Sequence, residues 1–87
     1  MNNSKIESLL NDINIDQYKT QKVNDYITLT NYQIEVLKRF DIDPSLYTKL
    51  KDIIYVAEEI YEETLDEDLN IVLDELSERN YYENTNK

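Results

Sequence analysis

The clearest indication of secondary structure in this chain is the stretch LTNYQIEVLKRF, residues 29–40. Thr30 can cap a helix, and Gln33, three residues later, completes the pattern of a capping box. Leu29 and Ile34 stand where a hydrophobic staple closes such a helix start. Apolar residues then recur at the helical period, which predicts a helix to the end of this stretch, at about Phe40.

Two further helices are predicted ahead of this stretch. The first starts at the capping box of Ser4 and Glu7, and a weaker second helix runs from about Asp16 to Tyr26. The segment YITLT, residues 26–30, is rich in β-branched residues, so a short strand is the alternative there. We expect helix instead, because no partner strand is evident and a chain with no Gly and one Pro is poorly suited to tight hairpin turns.

Two longer helices are predicted after it. Pro44 suits the first position of a helix that ends at about Glu63. Thr64 and Glu67 form another capping box, from which a last helix runs to about Tyr81. The apolar stripes that define these two helices are Leu46, Leu50, Ile53, Ala57 and Ile60, widened by Ile54 and Tyr61, and then Leu65, Leu69, Val72, Leu73 and Leu76.

A length of 87 residues predicts one small domain. The predicted fold class is all-α, a small single-domain bundle of four to five helices over residues 1–83 with a frayed C-terminal tail over residues 84–87. No run approaches the roughly 18 apolar residues of a membrane span, and the N-terminal stretch does not resemble an export signal. We therefore expect a cytoplasmic protein with no membrane partner.

Charge is distributed very unevenly along the chain. It has 19 Asp and Glu against 9 Lys and Arg, a net charge of −10. Residues 1–51 hold seven acids and seven bases, whereas residues 52–83 hold twelve acids against Arg79 alone. This balance argues against direct binding of nucleic acid, which needs Lys and Arg on one face. Lys38 and Arg39, with Lys49 and Lys51, form a modest positive patch that we expect to offset acids.

Several kinds of chemistry are excluded by missing residue types. The chain has no Cys and no His, which excludes thiolate or imidazole zinc sites and nucleophiles, and no Gly for a phosphate-cradling loop. Acidic motifs at Asp12 and Asp66 begin like calcium loops, but Gln17 and Ile71 stand where Gly is required. A domain of this size offers paired carboxylates little room for a catalytic cleft. We expect no enzyme activity, no metal and no cofactor.

The acids of the last two helices are predicted to lie opposite the apolar stripes, since successive residues are about 100° apart. Tyr55, Ile71 and Tyr82 fall among these acids. An unpaired acidic face that contains such side chains is typical of an interface. The predicted partner-binding residues are Asp52, Tyr55, Glu59, Glu62, Glu63, Asp66, Glu67, Ile71, Asp74, Glu75, Glu78 and Tyr82.

The leading hypothesis is a small acidic, non-enzymatic binding protein that docks this face on a basic protein surface, such as that of a nucleic-acid-binding enzyme. In its sharper form the protein is a nucleic-acid mimic, because carboxylates one helical turn apart, about 5.4 Å, imitate a row of phosphates. Abundant Asn, Ile, Lys and Tyr, whose codons are AT-rich, are consistent with a low-GC bacterial gene or a phage or mobile-element inhibitor.

Three other interpretations stay open. The chain could be an antitoxin-like protein or a transcription-factor partner that neutralises a basic protein, which has the same electrostatics as the leading hypothesis. The chain could be a self-associating structural or regulatory module, a homodimer that buries Ile71, Ile34 or the tyrosines and has no role related to nucleic acid. A dimer predicts a contiguous apolar patch away from the acids. The acids could also serve only to solvate the surface, since net charge far from zero keeps small proteins soluble.

Overall fold

The computed structural model describes residues 16–85, which form a mostly helical domain with one small antiparallel hairpin. The predicted all-α class is therefore only partly right. The helix predicted to start at Ser4 lies outside the described residues. The elements are α1 (Asp16–Tyr18), β1 (Thr20–Lys22), β2 (Thr28–Thr30), α2 (Asn31–Arg39), a 3₁₀ turn (Pro44–Leu46), α3 (Leu50–Thr64) and α4 (Glu67–Thr85).

The predicted capping box at the start of α2 is confirmed. Thr30 Oγ1 accepts a hydrogen bond from the backbone N–H of Gln33 at 3.1 Å, and Gln33 Oε1 accepts one from the backbone N–H of Thr30 at 2.9 Å. Leu29 before the cap is fully buried, and Ile34 packs against the core. This helix start therefore joins β2 directly to α2.

The helix predicted from Asp16 to Tyr26 is wrong, and so is the expectation of no hairpin. Only the first three residues of that range are helical, after which β1 pairs with β2. Thr20 lies opposite Thr30 in this pairing. The strand alternative for the segment before α2 was the correct one.

A side chain closes the hairpin in place of glycine. The loop of residues 23–27 is held by Asn24, whose Oδ1 accepts from the backbone N–H groups of Tyr26 at 2.8 Å and Ile27 at 2.9 Å. None of the five loop residues has a positive φ angle. A lack of Gly disfavours two-residue turns, and this longer loop does not contain one.

The long helix α3 begins at Leu50, and its predicted start at Pro44 is wrong. Pro44 instead opens the 3₁₀ turn, where Asp43 Oδ1 accepts from the backbone N–H of Ser45 at 3.0 Å. Leu46 is 79% exposed, so its predicted place in the apolar stripe is also wrong.

Asn24 also explains this interruption. Its Nδ2 group donates to the carbonyl oxygens of Ser45 at 3.0 Å and Tyr47 at 2.7 Å. In a continuous helix these two carbonyls would accept from the N–H groups four residues later. Asn24 in the hairpin loop thus donates to carbonyl groups that would accept backbone hydrogen bonds if α3 began earlier.

The connection between α3 and α4 differs from the predicted capping box of Thr64 and Glu67. Thr64 belongs to α3, and Leu65 follows it in the left-handed region at a φ of 52°, exposed and outside the core. Asp66 Oδ1 accepts from the backbone N–H of Leu69 at 3.0 Å, so Asp66 caps α4. α4 then continues to Thr85, past the predicted helix end.

The core lies where α4 packs against both α3 and α2, with β2 at its edge. The other predicted members of the two apolar stripes are buried or packed against this core. Its buried apolar residues are Ile27, Leu29, Val36, Leu37, Ile42, Leu50, Ile53, Ile54, Ala57, Leu69, Val72, Leu73 and Leu76.

The first prediction separates core from surface within one predicted stripe. Ile53→Ala should lower the free energy of unfolding by about 2–5 kcal/mol, because the fully buried side chain leaves a cavity. Leu46→Ala should change it by less than about 0.5 kcal/mol, because Leu46 is exposed. Urea denaturation of both variants measures the difference, and equal losses would contradict this fold.

Candidate functional site

The α3 acidic face consists of five predicted partner-binding residues on the side of α3 away from the core. They fall within an arc of about 100°, because they recur at the helical period. Ile53 and Ala57, both buried, lie on the opposite side of the helix. All five are exposed, and Tyr55 lies within the arc, between Glu62 and Glu59, with 64% of the residue exposed. The residues are Asp52, Tyr55, Glu59, Glu62 and Glu63.

The α4 acidic face has the same construction. Its residues fall within an arc of about 80°. Ile71 is 46% exposed and Tyr82 is 56% exposed, although both are large and largely apolar side chains. Leu69, Val72 and Leu76 on the other side of the helix are fully buried. The exposed residues of this face are Glu67, Ile71, Asp74, Glu78 and Tyr82.

The carboxylates of the two acidic faces form no ion pairs with any residue that the structure describes. The four ion pairs of residues 16–85 use Asp16, Asp25, Asp68 and Glu83 as their acids. None of these four is a predicted partner-binding residue. No Lys or Arg of the described part of the chain is therefore paired with either face.

Among the twelve predicted residues, Tyr82 packs its ring edge-to-face against Tyr81, with centroids 5.6 Å apart, and two others accept hydrogen bonds within the fold. Asp66 is half-buried and caps α4. Glu75 is half-buried, and its Oε1 accepts a hydrogen bond at 3.0 Å from Nε2 of Gln33, which is only 6% exposed. The structure thus gives both residues a part in holding the fold, whatever they contribute to binding.

Asp68 is the acid whose role sequence reasoning missed. Its Oδ2 accepts from Arg39 Nη2 at 2.9 Å, and its Oδ1 accepts from the Tyr32 hydroxyl at 3.1 Å. Hydrogen bonds from Arg39 and Tyr32 hold the pKa of the Asp68 carboxyl below its usual range. Burial, with the bond to Asp68, raises the pKa of Tyr32 to about 12. The partners lie 29 and 36 residues away along the chain, so no local pattern marks this contact.

The positive patch predicted from the sequence is divided in the structure. Arg39 does offset an acid, since it pairs with Asp68 between α2 and α4. Lys49 and Lys51 instead lie at the start of α3, beside Arg79 near the end of α4. Ile34, one residue that a homodimer was expected to bury, already packs against the core.

Metal sites and membrane-spanning helices are both absent from the described residues. Within residues 16–85, no group of three or more acidic side chains is arranged to hold a metal ion. None of the helices in this range is long and apolar enough to cross a membrane. Compared with models of protein families, with curated proteins and with solved structures, the chain matches none.

The second prediction tests two neighbouring acids of α4. Glu75→Ala should lower the free energy of unfolding by about 1–3 kcal/mol, because it leaves the buried Nε2 group of Gln33 without an acceptor. Asp74→Ala should change it by less than about 0.5 kcal/mol, because Asp74 is exposed. Urea denaturation measures both values, and a larger loss for Asp74→Ala would refute the contact.

The third prediction concerns pH. The pKa of Asp68 is lowered in the folded state, so its contribution to stability is present above the pKa of the unfolded chain and is lost as pH falls through the folded pKa. Arg39→Gln should raise the pKa of Asp68 toward the ordinary value of an Asp carboxyl, because it removes the largest cause of the shift. NMR titration of the carboxyl carbon measures this pKa.

Lys38→Gln is the matched control for that titration. It removes a neighbouring positive charge that forms no ion pair within the described residues. The pKa of Asp68 should stay low in this variant. Equal shifts in both variants would mean that general charge, and not the Arg39 contact, sets this pKa.

Proposed function

We propose that this protein is a small acidic binding protein, not an enzyme, that docks its two acidic faces on a basic protein surface. The two faces lie on helices that pack against one another, and each is turned away from the shared core. The partner on this proposal is a protein whose surface presents Lys and Arg side chains.

One observation carries the proposal: large side chains are exposed on the same helix faces as the carboxylates. Tyr55 is exposed among the acids of α3, and Ile71 and Tyr82 among those of α4. Other large side chains are exposed elsewhere on the domain, so the proposal depends on the combination of these three with unpaired carboxylates on the same faces. Tyr at the centre of an interface contributes much buried area at a low cost in conformational entropy.

The charge arrangement supports the same proposal. Like charges one helical turn apart, such as Glu59 and Glu63 or Asp74 and Glu78, destabilise a helix by a few tenths of a kcal/mol for each pair. Cations of a partner would remove this repulsion on binding. Complementary charge also speeds association and rejects partners of the wrong sign.

The sharper form of the proposal is nucleic-acid mimicry. Carboxylates on one helix face repeat at about 5.4 Å per turn, and rows of this kind can lie along a groove lined with Lys and Arg. On this proposal the partner is a nucleic-acid-binding enzyme, and the protein inhibits it, as a phage or mobile-element inhibitor would. A self-associating module without this role is the alternative, and the same experiment distinguishes the two.

The fourth prediction tests the α3 acidic face. The triple variant Glu59→Lys, Glu62→Lys, Glu63→Lys should lose partner binding and keep its fold, because all three residues are exposed. The measurement is affinity capture from a lysate of a low-GC bacterium with tagged protein as bait, washed at low and at high salt. A specific protein that the wild type retains and that salt releases is the expected partner, since salt screens surface charge.

The matched control reverses three exposed acids elsewhere, Asp16, Asp25 and Glu35, to Lys. Each triple variant changes the net charge from −10 to −4. The two ion pairs that the control breaks, Asp16 with Lys19 and Asp25 with Lys22, are exposed and contribute little to stability. The control should retain the partner. Loss of binding in both variants, or in neither, would contradict a specific role for the face. Recovery of the bait alone would favour self-association.

For the mimicry form, the captured protein is tested for binding to a nucleic-acid duplex with and without the wild-type chain. Competition by the wild type, and none by the variant of Glu59, Glu62 and Glu63, is expected. A captured protein that binds this chain and the duplex at the same time would overturn mimicry and leave the docking proposal intact.

A further inference from the structure

A cleft lined by positively charged side chains lies at the end of the two long helices that is opposite the α3–α4 connection. It is bordered by the hairpin loop, the start of α3 and the last turns of α4, and its volume is about 450 Å³. Small-molecule sites commonly measure about 300–1,000 Å³. We call it the basic cleft, after Lys49, Lys51 and Arg79, which line it together with Tyr26, Asn80 and Asn84.

The charge of the basic cleft is unlike that of the rest of the chain. Three of the nine Lys and Arg residues of the chain line the cleft. Of its nineteen Asp and Glu residues, Glu83 is the one found among the described lining residues. Glu83 accepts from Arg79 Nε at 3.0 Å, and Arg79 Nη1 also donates to the carbonyl oxygen of Thr28. Arg79 is thereby fixed at the edge of the cleft.

The two lysines remain without an acidic partner. Neither Lys49 nor Lys51 forms an ion pair within the part of the chain that the structure describes. They are two residues apart at the start of α3, where no side chain caps the helix. The positive end of the helix dipole adds to the charge of the cleft.

We propose that the basic cleft binds a small oxyanion, either phosphate itself or the phosphate group of a small metabolite. The ammonium groups of Lys49 and Lys51 pair with its oxygens, and the side-chain amides of Asn80 and Asn84 supply neutral donors. Charge-assisted hydrogen bonds of this kind are the strong ones. This site goes beyond the proposed docking function, because it uses a different surface with the opposite charge.

The size and surroundings of the basic cleft favour a small anion over a polymer. A nucleic acid long enough to reach past the cleft would meet the acidic faces of α3 and α4, which repel it. A single phosphate group fits within the cleft and meets only its lining. The ring of Tyr26, 71% exposed at the edge, provides a surface for the organic part of a phosphate ester.

The fifth prediction is tested by NMR titration of the ¹⁵N-labelled full chain with inorganic phosphate, at an ionic strength held constant with sodium chloride. We expect saturable shifts of the backbone amide signals of Leu50, Lys51 and Asn80. The double variant Lys49→Gln, Lys51→Gln should weaken binding at least about tenfold, since two charge-assisted hydrogen bonds are lost.

The matched control is Lys19→Gln, Lys22→Gln, which makes the same change of charge on the hairpin outside the cleft. It should bind phosphate as the wild type does. A second titration with glycerol phosphate distinguishes the source of the anion, because tighter binding of the ester identifies a metabolite and equal binding identifies free phosphate.

Three results would overturn the proposal. Shifts that do not saturate, or that chloride alone reproduces, would show general screening and no site. Equal weakening by both double variants would show an effect of net charge only. Unchanged binding by the variant of Lys49 and Lys51 would place any phosphate elsewhere on the protein.

Discussion

The described fold depends on how one buried polar side chain is satisfied. Gln33 is the single buried polar or charged residue within residues 16–85, and an unpaired amide in that position would be costly. Its oxygen accepts from the backbone of Thr30 and its nitrogen donates to Glu75. The same side chain therefore sets where α2 begins and how α4 lies against it. Apolar packing alone would allow these helices to slide against one another. The two hydrogen bonds prevent this.

How far the sequence predicts this fold depends on the range of the interactions. The capping box at Thr30 is local, and the sequence identifies it correctly. The hairpin and the start of α3 both depend on Asn24, which bonds carbonyls 21 and 23 residues away. No local pattern contains that information. The absence of Gly also does not exclude a hairpin, because an Asn side chain can hold a longer loop with negative φ angles throughout.

In the candidate site, too, local patterns identify some residues, and contacts between residues distant in the sequence decide the role of others. Helical periodicity is sufficient to place the acids of α3 and α4 opposite the buried stripe, since it depends only on helix geometry. The internal role of Glu75 requires Gln33, which lies 42 residues away along the chain. Asp74 and Glu75 are adjacent acids in the sequence, and only packing against α2 distinguishes an exposed carboxylate from one that holds the fold.

The negative charge of α3 and α4 is densest around the connection between the two helices. Seven acids and no bases occupy residues 58–68, around the connection between the helices, whereas Lys49, Lys51 and Arg79 lie at the opposite end. The two groups are about 20 Å apart, given the rise of an α-helix. Negative charge is thus concentrated at one end of the helix pair, in addition to the net charge. A charged body that approaches the molecule attracts or repels that end most strongly, so the charge distribution favours one orientation of approach.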